Sequence, residues 1–188
     1  MKRLFIAIDI HPGDRLKEAM ELVRNRLRTE RINWVNPKQL HLTISFLGDT
    51  PGEIVPLITS GLKKALNGCT SFELTLASMG VFKNIHDPRV IWIGCRENES
   101  FRHIKKEIDL ALAEIGIEQE VREFSPHLTL GRIKGMRQQN QLAQLITLNK
   151  DVIFQDQRIE NIVLYESRLS SEGPEYLPLQ WFPLKKQG

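Results

Sequence analysis

Cysteine is scarce in this 188-residue chain, with Cys69 and Cys95 far apart and no CxxC or spaced His/Cys pair around them. That spacing argues against a structural zinc site. Two cysteines could form one disulfide, but nothing else marks a small secreted scaffold, so two reduced, partly buried thiols are expected. Long apolar runs are also missing. None approaches the roughly 20 residues that span a bilayer. The N-terminus, MKRLFIAIDIHPGD, starts like a signal peptide, but its apolar run is short, Asp9 interrupts it and no small-residue cleavage site follows. LFIAIDI is read instead as a first strand, and the protein is expected to be soluble and cytoplasmic. Charge of one sign is weak as well. A formal net charge of +3 suits an anionic ligand but is far from the basic stripe of a duplex-DNA binder. There is no low-complexity tract and no Gly/Ser linker, so any subdivisions should pack together rather than be tethered.

What is present is enough for a core: 41% of residues are hydrophobic and 26% charged. One tripeptide occurs twice, in HLTISFLG (41 to 48) and HLTLGR (127 to 132), 86 residues apart. Other features recur near that distance. LFIAID (4 to 9) falls on VIWIGC (90 to 95), both β-rich. Pro12 to Arg28 reads as a helix through Leu16, Met20, Val23 and Leu27, and Asn98 to Glu114 repeats the period through Phe101, Ile104, Ile108 and Leu112. Each HLT strand precedes a further helix, PGEIVPLITSGLKKAL or RQQNQLAQLITL, although Pro56 sits badly in the first. FELTLASMGVF (72 to 82) matches NIVLYESRL (161 to 169), and EYLPLQWFPL follows where VIWIGC followed in the first half.

The order of elements predicts an α+β protein of two pseudo-symmetric lobes. Each lobe would be a mostly antiparallel sheet with helices on one face. Residues 1–188 form a single bilobal domain in this reading, an internal duplication with approximate halves 1–95 and 90–188. The lobe junction is expected at CRENES (95 to 100).

Alternation along a strand puts His41, Thr43 and Ser45 on one face and Leu40, Leu42, Ile44 and Phe46 on the other. His127 and Thr129 likewise oppose Leu128 and Leu130. A lone strand histidine is ordinarily a surface or hydrogen-bonded residue, and one HLT is a weak signal. Two at equivalent points of a repeat differ, because a pseudo-two-fold would turn the faces toward each other across a cleft. Two imidazoles can act as one general base and one general acid. Two threonine hydroxyls can donate to phosphate oxygens. In-line displacement at a phosphodiester needs that set and no metal.

The motifs HLTI (41 to 44) and HLTL (127 to 130) resemble those of the 2H phosphoesterase superfamily, and RLFIAIDI, WVNPKQLHLTISFLG, PRVIWIG, FSPHLTLGR and IVLYESRL are similar to its RNA 2′,3′-cyclic phosphodiesterase (2′-5′ RNA ligase-like) branch. The resemblance spans nearly the whole chain and implies a 2H phosphoesterase, LigT-like fold with both motifs lining one cleft. It implies hydrolysis of an RNA terminal 2′,3′-cyclic phosphate to a 2′-phosphomonoester, with no cofactor and no metal. By that resemblance His41 is the proton donor to the leaving 3′-oxygen and His127 the proton acceptor from water. Thr43 and Thr129 would hold the phosphate. Arg132 resembles an arginine of the second motif, yet alternation puts it opposite His127; it reaches the cleft only if the strand bulges or ends near Gly131, and otherwise makes a surface ion pair. The implied partners are RNA 3′ ends or nucleotides bearing a 2′,3′-cyclic phosphate, met by a monomer.

Phe5, Trp34, Phe46 and Tyr165 could each offer a base a stacking face. Alternation assigns Phe46 to the core, and Trp34 is expected to pack where the chain enters the first motif strand. Ser167 has no mechanism of its own. His11, His86 and His103 are read as surface residues. The competing functions are 2′-5′ RNA ligation, a small-nucleotide cyclic phosphodiesterase, a non-catalytic RNA-end binding module, and a metallohydrolase for which residues 40 to 49 and 124 to 133 offer few ligands.

Overall fold

A computed structural model describes residues 1–96, 98–117, 124–171 and 173–186. Among the described residues, nine strands and four α-helices follow in the order β1 (Lys2–Asp9), α1 (Asp14–Arg26), β2 (Arg31–Trp34), β3 (His41–Thr50), α2 (Val55–Leu66), β4 (Phe72–Phe82), β5 (Val90–Cys95), α3 (Glu99–Glu114), β6 (His127–Gly135), α4 (Gln139–Leu148), β7 (Ile153–Ile159), β8 (Asn161–Ser170) and β9 (Gly173–Pro183). The expected α+β class holds, with the paired strands antiparallel and the strand order β7-β4-β5-β6-β3-β1-β8-β9, β2 adding onto β6.

That order reads the same from both ends. Its centre is the contact between the two HLT strands, where Leu42 pairs with Leu128. On either side β3 answers to β6, β1 to β5, β8 to β4 and β9 to β7. The lobes meet in space at this central pair, and residues 95–100 lie between β5 and α3. VIWIGC therefore opens the second half as the counterpart of LFIAID, and the counterpart of β9 is β7, a strand the sequence reading overlooked. β7 carries little apolar signal, since Phe154 and Ile159 are its two buried residues. The lobes also exchange strands: β4 of the first half pairs with β5 and β7, and β8 of the second half pairs with β1.

Partner residues correct the repeat distance. Asp9 pairs with His41 and Gly94 with His127, so the opening strands are 85 residues apart while the motifs are 86 apart. At 85, Leu16, Ala19, Val23 and Leu27 of the first half coincide with Phe101, Ile104, Ile108 and Leu112 of the second, and all pack on one core. That core also takes Leu4, Ile6 and Ile8 of β1, Ile58 and Leu62 of α2, and Leu142 of α4. Helix starts follow local chemistry. Asn98 accepts a bond from the Phe101 N–H to cap α3. Pro56 is tolerated because α2 begins at Val55, which puts the proline in the first turn where its missing N–H costs nothing. No helix among the described residues is long and apolar enough to cross a membrane.

Edge strand β7 is tied to the start of the chain by side chains. Gln157 donates to the Asp9 carbonyl and accepts from the His11 N–H, while Gln155 accepts from the Gly13 N–H and donates to the His11 carbonyl.

Candidate active site

The alternation of each motif strand is interrupted at the same point. On β3, Ala7 pairs with Thr43 and Ile6 with Ser45, so Ile44 is an extra residue. On β6, Trp92 pairs with Thr129 and Ile91 with Gly131, so Leu130 is extra. Each is a β-bulge, and each reverses the faces beyond it. Ile44 and Ser45 are both buried, and the Ser45 hydroxyl donates to Asp109 of α3 at 3.3 Å. Ser45 is therefore in the core, not on the His41 face. Phe46, assigned to the core by alternation, is 69% exposed and lines the cleft. Arg132 meets the condition set for it and turns into the cleft. Phe46 and Arg132 are thus equivalent positions, one carrying a ring and the other a guanidinium.

The second bulge is held by Gly131. A Cβ there would lie 2.8 Å from Ile32 Cγ2 and 2.8 Å from Trp34 Cε3. Trp34 does not simply mark the entry to β3: it lies on β2, paired with Gly131, with the Arg24 guanidinium 5.8 Å from its ring centroid.

His41, Thr43, His127, Thr129 and Arg132 all line one cavity of about 520 Å³, with Phe5, Phe46, Phe82, Ser167, Leu169 and Tyr176. The two imidazoles are held in the same way. His41 Nδ1–H donates to the Gln39 carbonyl at 2.9 Å, and His127 Nδ1–H donates to the Ser125 carbonyl at 2.8 Å. In both rings this leaves Nε2 as the atom that can give or take a proton. His41 rests on Phe5 at 5.1 Å and against the edge of Tyr176 at 4.8 Å; His127 meets Phe82 at 4.5 Å. Phe5 also stacks on Tyr165, 5.1 Å away, and both rings are buried, so neither offers an open stacking face.

Burial is the main influence on both histidines and holds them below the ordinary imidazole value of 6.5. The accepting carbonyls oppose this, and the Arg132 charge reinforces it. His41 has two further neighbours: Asp9, whose carboxylate favours its protonated form, and His127, which opposes it. The Tyr165 hydroxyl donates to Asp9, and burial with that carboxylate pushes the phenol far up. Gly94 stands in the corresponding place beside His127.

Asp9, Tyr176 and Phe82 escaped the sequence reading. Asp9 left one faint signal, an acid closing an apolar strand on the face of Phe5 and Ala7. Tyr176 and Phe82 come from distant strands without a local motif. His11, His86 and His103 are exposed, as expected. No group of three or more His, Cys, Asp or Glu residues able to hold a metal occurs among the described residues.

A curled antiparallel sheet presenting two mirrored His-x-Thr motifs to one cavity defines a two-histidine phosphoesterase. The family model described as LigT like Phosphoesterase matches residues 6–92 and again 93–176, and the chain belongs to that family. It is similar to proteins named RNA 2′,3′-cyclic phosphodiesterase from Methanocaldococcus jannaschii (37% identity, 93% of this chain and 96% of that one) and Methanothermobacter thermautotrophicus (31%, 97% and 98%). A crystal structure of a Thermus thermophilus protein superposes with a TM-score of 0.79 at 27% identity, covering 99% of this chain and 100% of that one.

Proposed function

We propose that the enzyme opens the terminal 2′,3′-cyclic phosphate of RNA to a 2′-phosphomonoester, with His41 as general acid and His127 as general base. The observation that carries this reading is the pair of imidazoles, each fixed through Nδ1 and each lining one cavity with its threonine. Relatives named for that activity across nearly the whole chain support the substrate.

In the reaction, His127 Nε2 takes a proton from water as its oxygen attacks phosphorus. His41 Nε2 gives a proton to the 3′-oxygen as the P–O3′ bond breaks. Thr43, Thr129 and Arg132 bind the non-bridging oxygens, where charge builds up. Asp9 favours a protonated His41, and no described carboxylate has that influence on His127, which supports the division of roles. The site is complete within one chain, consistent with action as a monomer.

The test is phosphorus NMR of a short RNA ending in a 2′,3′-cyclic phosphate, with the enzyme in excess chelator. A 2′-phosphomonoester is expected. A 3′-phosphomonoester would reverse the leaving group. An unchanged cyclic phosphate with folded protein would leave a binding module or a metal-dependent enzyme.

A further inference from the structure

We propose that the cavity on the outer side of His41 is a strand subsite. It takes the phosphodiester that joins the terminal nucleotide to the rest of the RNA, and Trp181 at its rim takes the base of the penultimate nucleotide. This rests on the acid and base roles above and adds a substrate class: an RNA end in preference to a free nucleoside 2′,3′-cyclic phosphate.

His41 lines both the central cavity and a second one beyond it, of about 240 Å³. In-line displacement puts the attacking and leaving oxygens at opposite apices of phosphorus. The leaving 3′-oxygen is at His41, and the 2′-oxygen, which keeps the phosphate, is equatorial. In the ribose, C3′ is bonded to C4′, which carries the 5′-carbon and the upstream phosphate. C2′ is bonded to C1′, which carries the base. The upstream phosphate therefore leaves the cleft on the His41 flank, and the terminal base lies in the central cavity. The flanking cavity is several times the roughly 30 Å³ share of one water. It has room for a phosphodiester and its sugar, with the next base outside.

The wall offers a phosphate its partners. Past the end of the β1–β3 ladder, where the Ile10 N–H donates to the Leu40 carbonyl at 3.0 Å, Lys38 and His11 line the cavity. Both are exposed, and neither side chain has an ion-pair or hydrogen-bond partner among the described residues. Their backbones are nonetheless fixed. Gln157 and Gln155 hold His11 through its N–H and its carbonyl. The Asn36 side chain accepts from the Lys38 N–H at 3.0 Å, in the same short turn whose Gln39 carbonyl orients His41. One turn thus carries a cation for the strand and aims the acid. Asp9 is the one carboxylate in the wall among the described residues. It stands across the ladder from His41 and holds the Tyr165 hydroxyl, so the anion belongs at the outer end, with Lys38.

The base beyond that phosphate has one open ring to meet. Trp181 lies on β9 across from Val163, lines the cavity and is 45% exposed. Such a ring is a stacking face for any base. Tyr176 is already engaged, standing edge-on to both His41 and Phe5. The terminal base has its own exposed ring in the central cavity, Phe46. Two successive bases therefore have separate aromatic places, with Lys38 near the phosphate between them.

The experiment compares kcat/KM for hydrolysis along a substrate series: a nucleoside 2′,3′-cyclic phosphate, the same compound carrying a 5′-phosphate methyl ester, and a dinucleotide ending in the cyclic phosphate. The methyl ester should gain about threefold to tenfold over the nucleoside, as for one exposed charged contact. The dinucleotide should gain at least about fivefold more from stacking. Lys38→Gln should remove the first gain and Trp181→Ala the second. Each should leave the nucleoside cyclic phosphate within about twofold, because an exposed charge reaches the reacting atoms weakly through solvent. Equal kcat/KM for all three substrates overturns the subsite alone. So do variants that lower all three by one factor, which marks a structural role beside His41. A series levelled instead by Arg96→Glu, in the cavity flanking His127, sends the strand out on the other side and overturns it too. No hydrolysis of any of the three overturns the hydrolase reading and the subsite with it, so the two failures are distinguishable.

Discussion

Asp9 stands directly across the β1–β3 ladder from His41, with the Tyr165 hydroxyl bound to its carboxylate. The carboxylate favours a protonated imidazole, the state a general acid must start from. Asp9→Asn keeps the acceptor for Tyr165 and removes the charge. His41 should then lose its proton at lower pH, so the alkaline limb of the kcat/KM profile should move down. NMR titration of the two histidine rings checks this. An unmoved His41, or a shift confined to His127, would refute the role of Asp9.

Arg132 opposes protonation of both histidines. Arg132→Gln should therefore raise both, carrying both limbs of the kcat/KM profile to higher pH. It should also raise KM, because a charge-assisted bond to phosphate contributes about 1.5–3 kcal/mol, roughly tenfold to a hundredfold. Steady-state kinetics from acid to alkaline pH would show both effects. A KM change with a stationary profile would place Arg132 on the substrate but outside the field of the imidazoles.

His41→Ala and His127→Ala should each cost at least about 10²-fold in turnover. The double variant should cost less than the product of the two, since acid and base act in one step. Thr43→Val or Thr129→Val should cost less than either histidine variant. Single-turnover rates on the cyclic substrate, with circular dichroism to confirm folding, decide it. Full activity in either histidine variant would remove the mechanism.

Gly131→Ala puts a methyl group against Ile32 and Trp34. Overpacking of this kind costs about 1–3 kcal/mol, read as a fall in the urea midpoint. Displacement of β2 would also turn Arg132 away, so KM should rise. A stable variant with normal KM would mean that β2 yields without disturbing the bulge.

Much of this was legible in the sequence because the repeat is written in periodicity. The helices stand out through spacings such as Leu16, Met20 and Val23, and the motif strands through His-x-Thr. What failed was one-residue bookkeeping. Strict alternation sent Ser45 outward and Phe46 inward, and the bulge at Ile44 reverses both. Nothing in the pair Ile44 and Ser45 announces a bulge, whereas Gly131 does hint at one. β2 and β7 were missed because four residues, or seven with two buried, make too weak a pattern. Asp9 and Tyr176 meet at His41 through pairing across the sheet, which no local window contains.

The crossing of β4 and β8 between lobes has a historical reading. A polypeptide holding one copy of the repeat would leave its last strand, the equivalent of β4, without a neighbour until a second copy supplied one. It could complete this sheet only as a swapped dimer. Such an assembly would present two identical imidazoles, since symmetry forbids one to differ from the other. Joining the copies in a single polypeptide lifts that restriction. Asp9 beside one histidine and Gly94 beside the other is the specialisation that a fused chain can hold and a symmetric pair cannot.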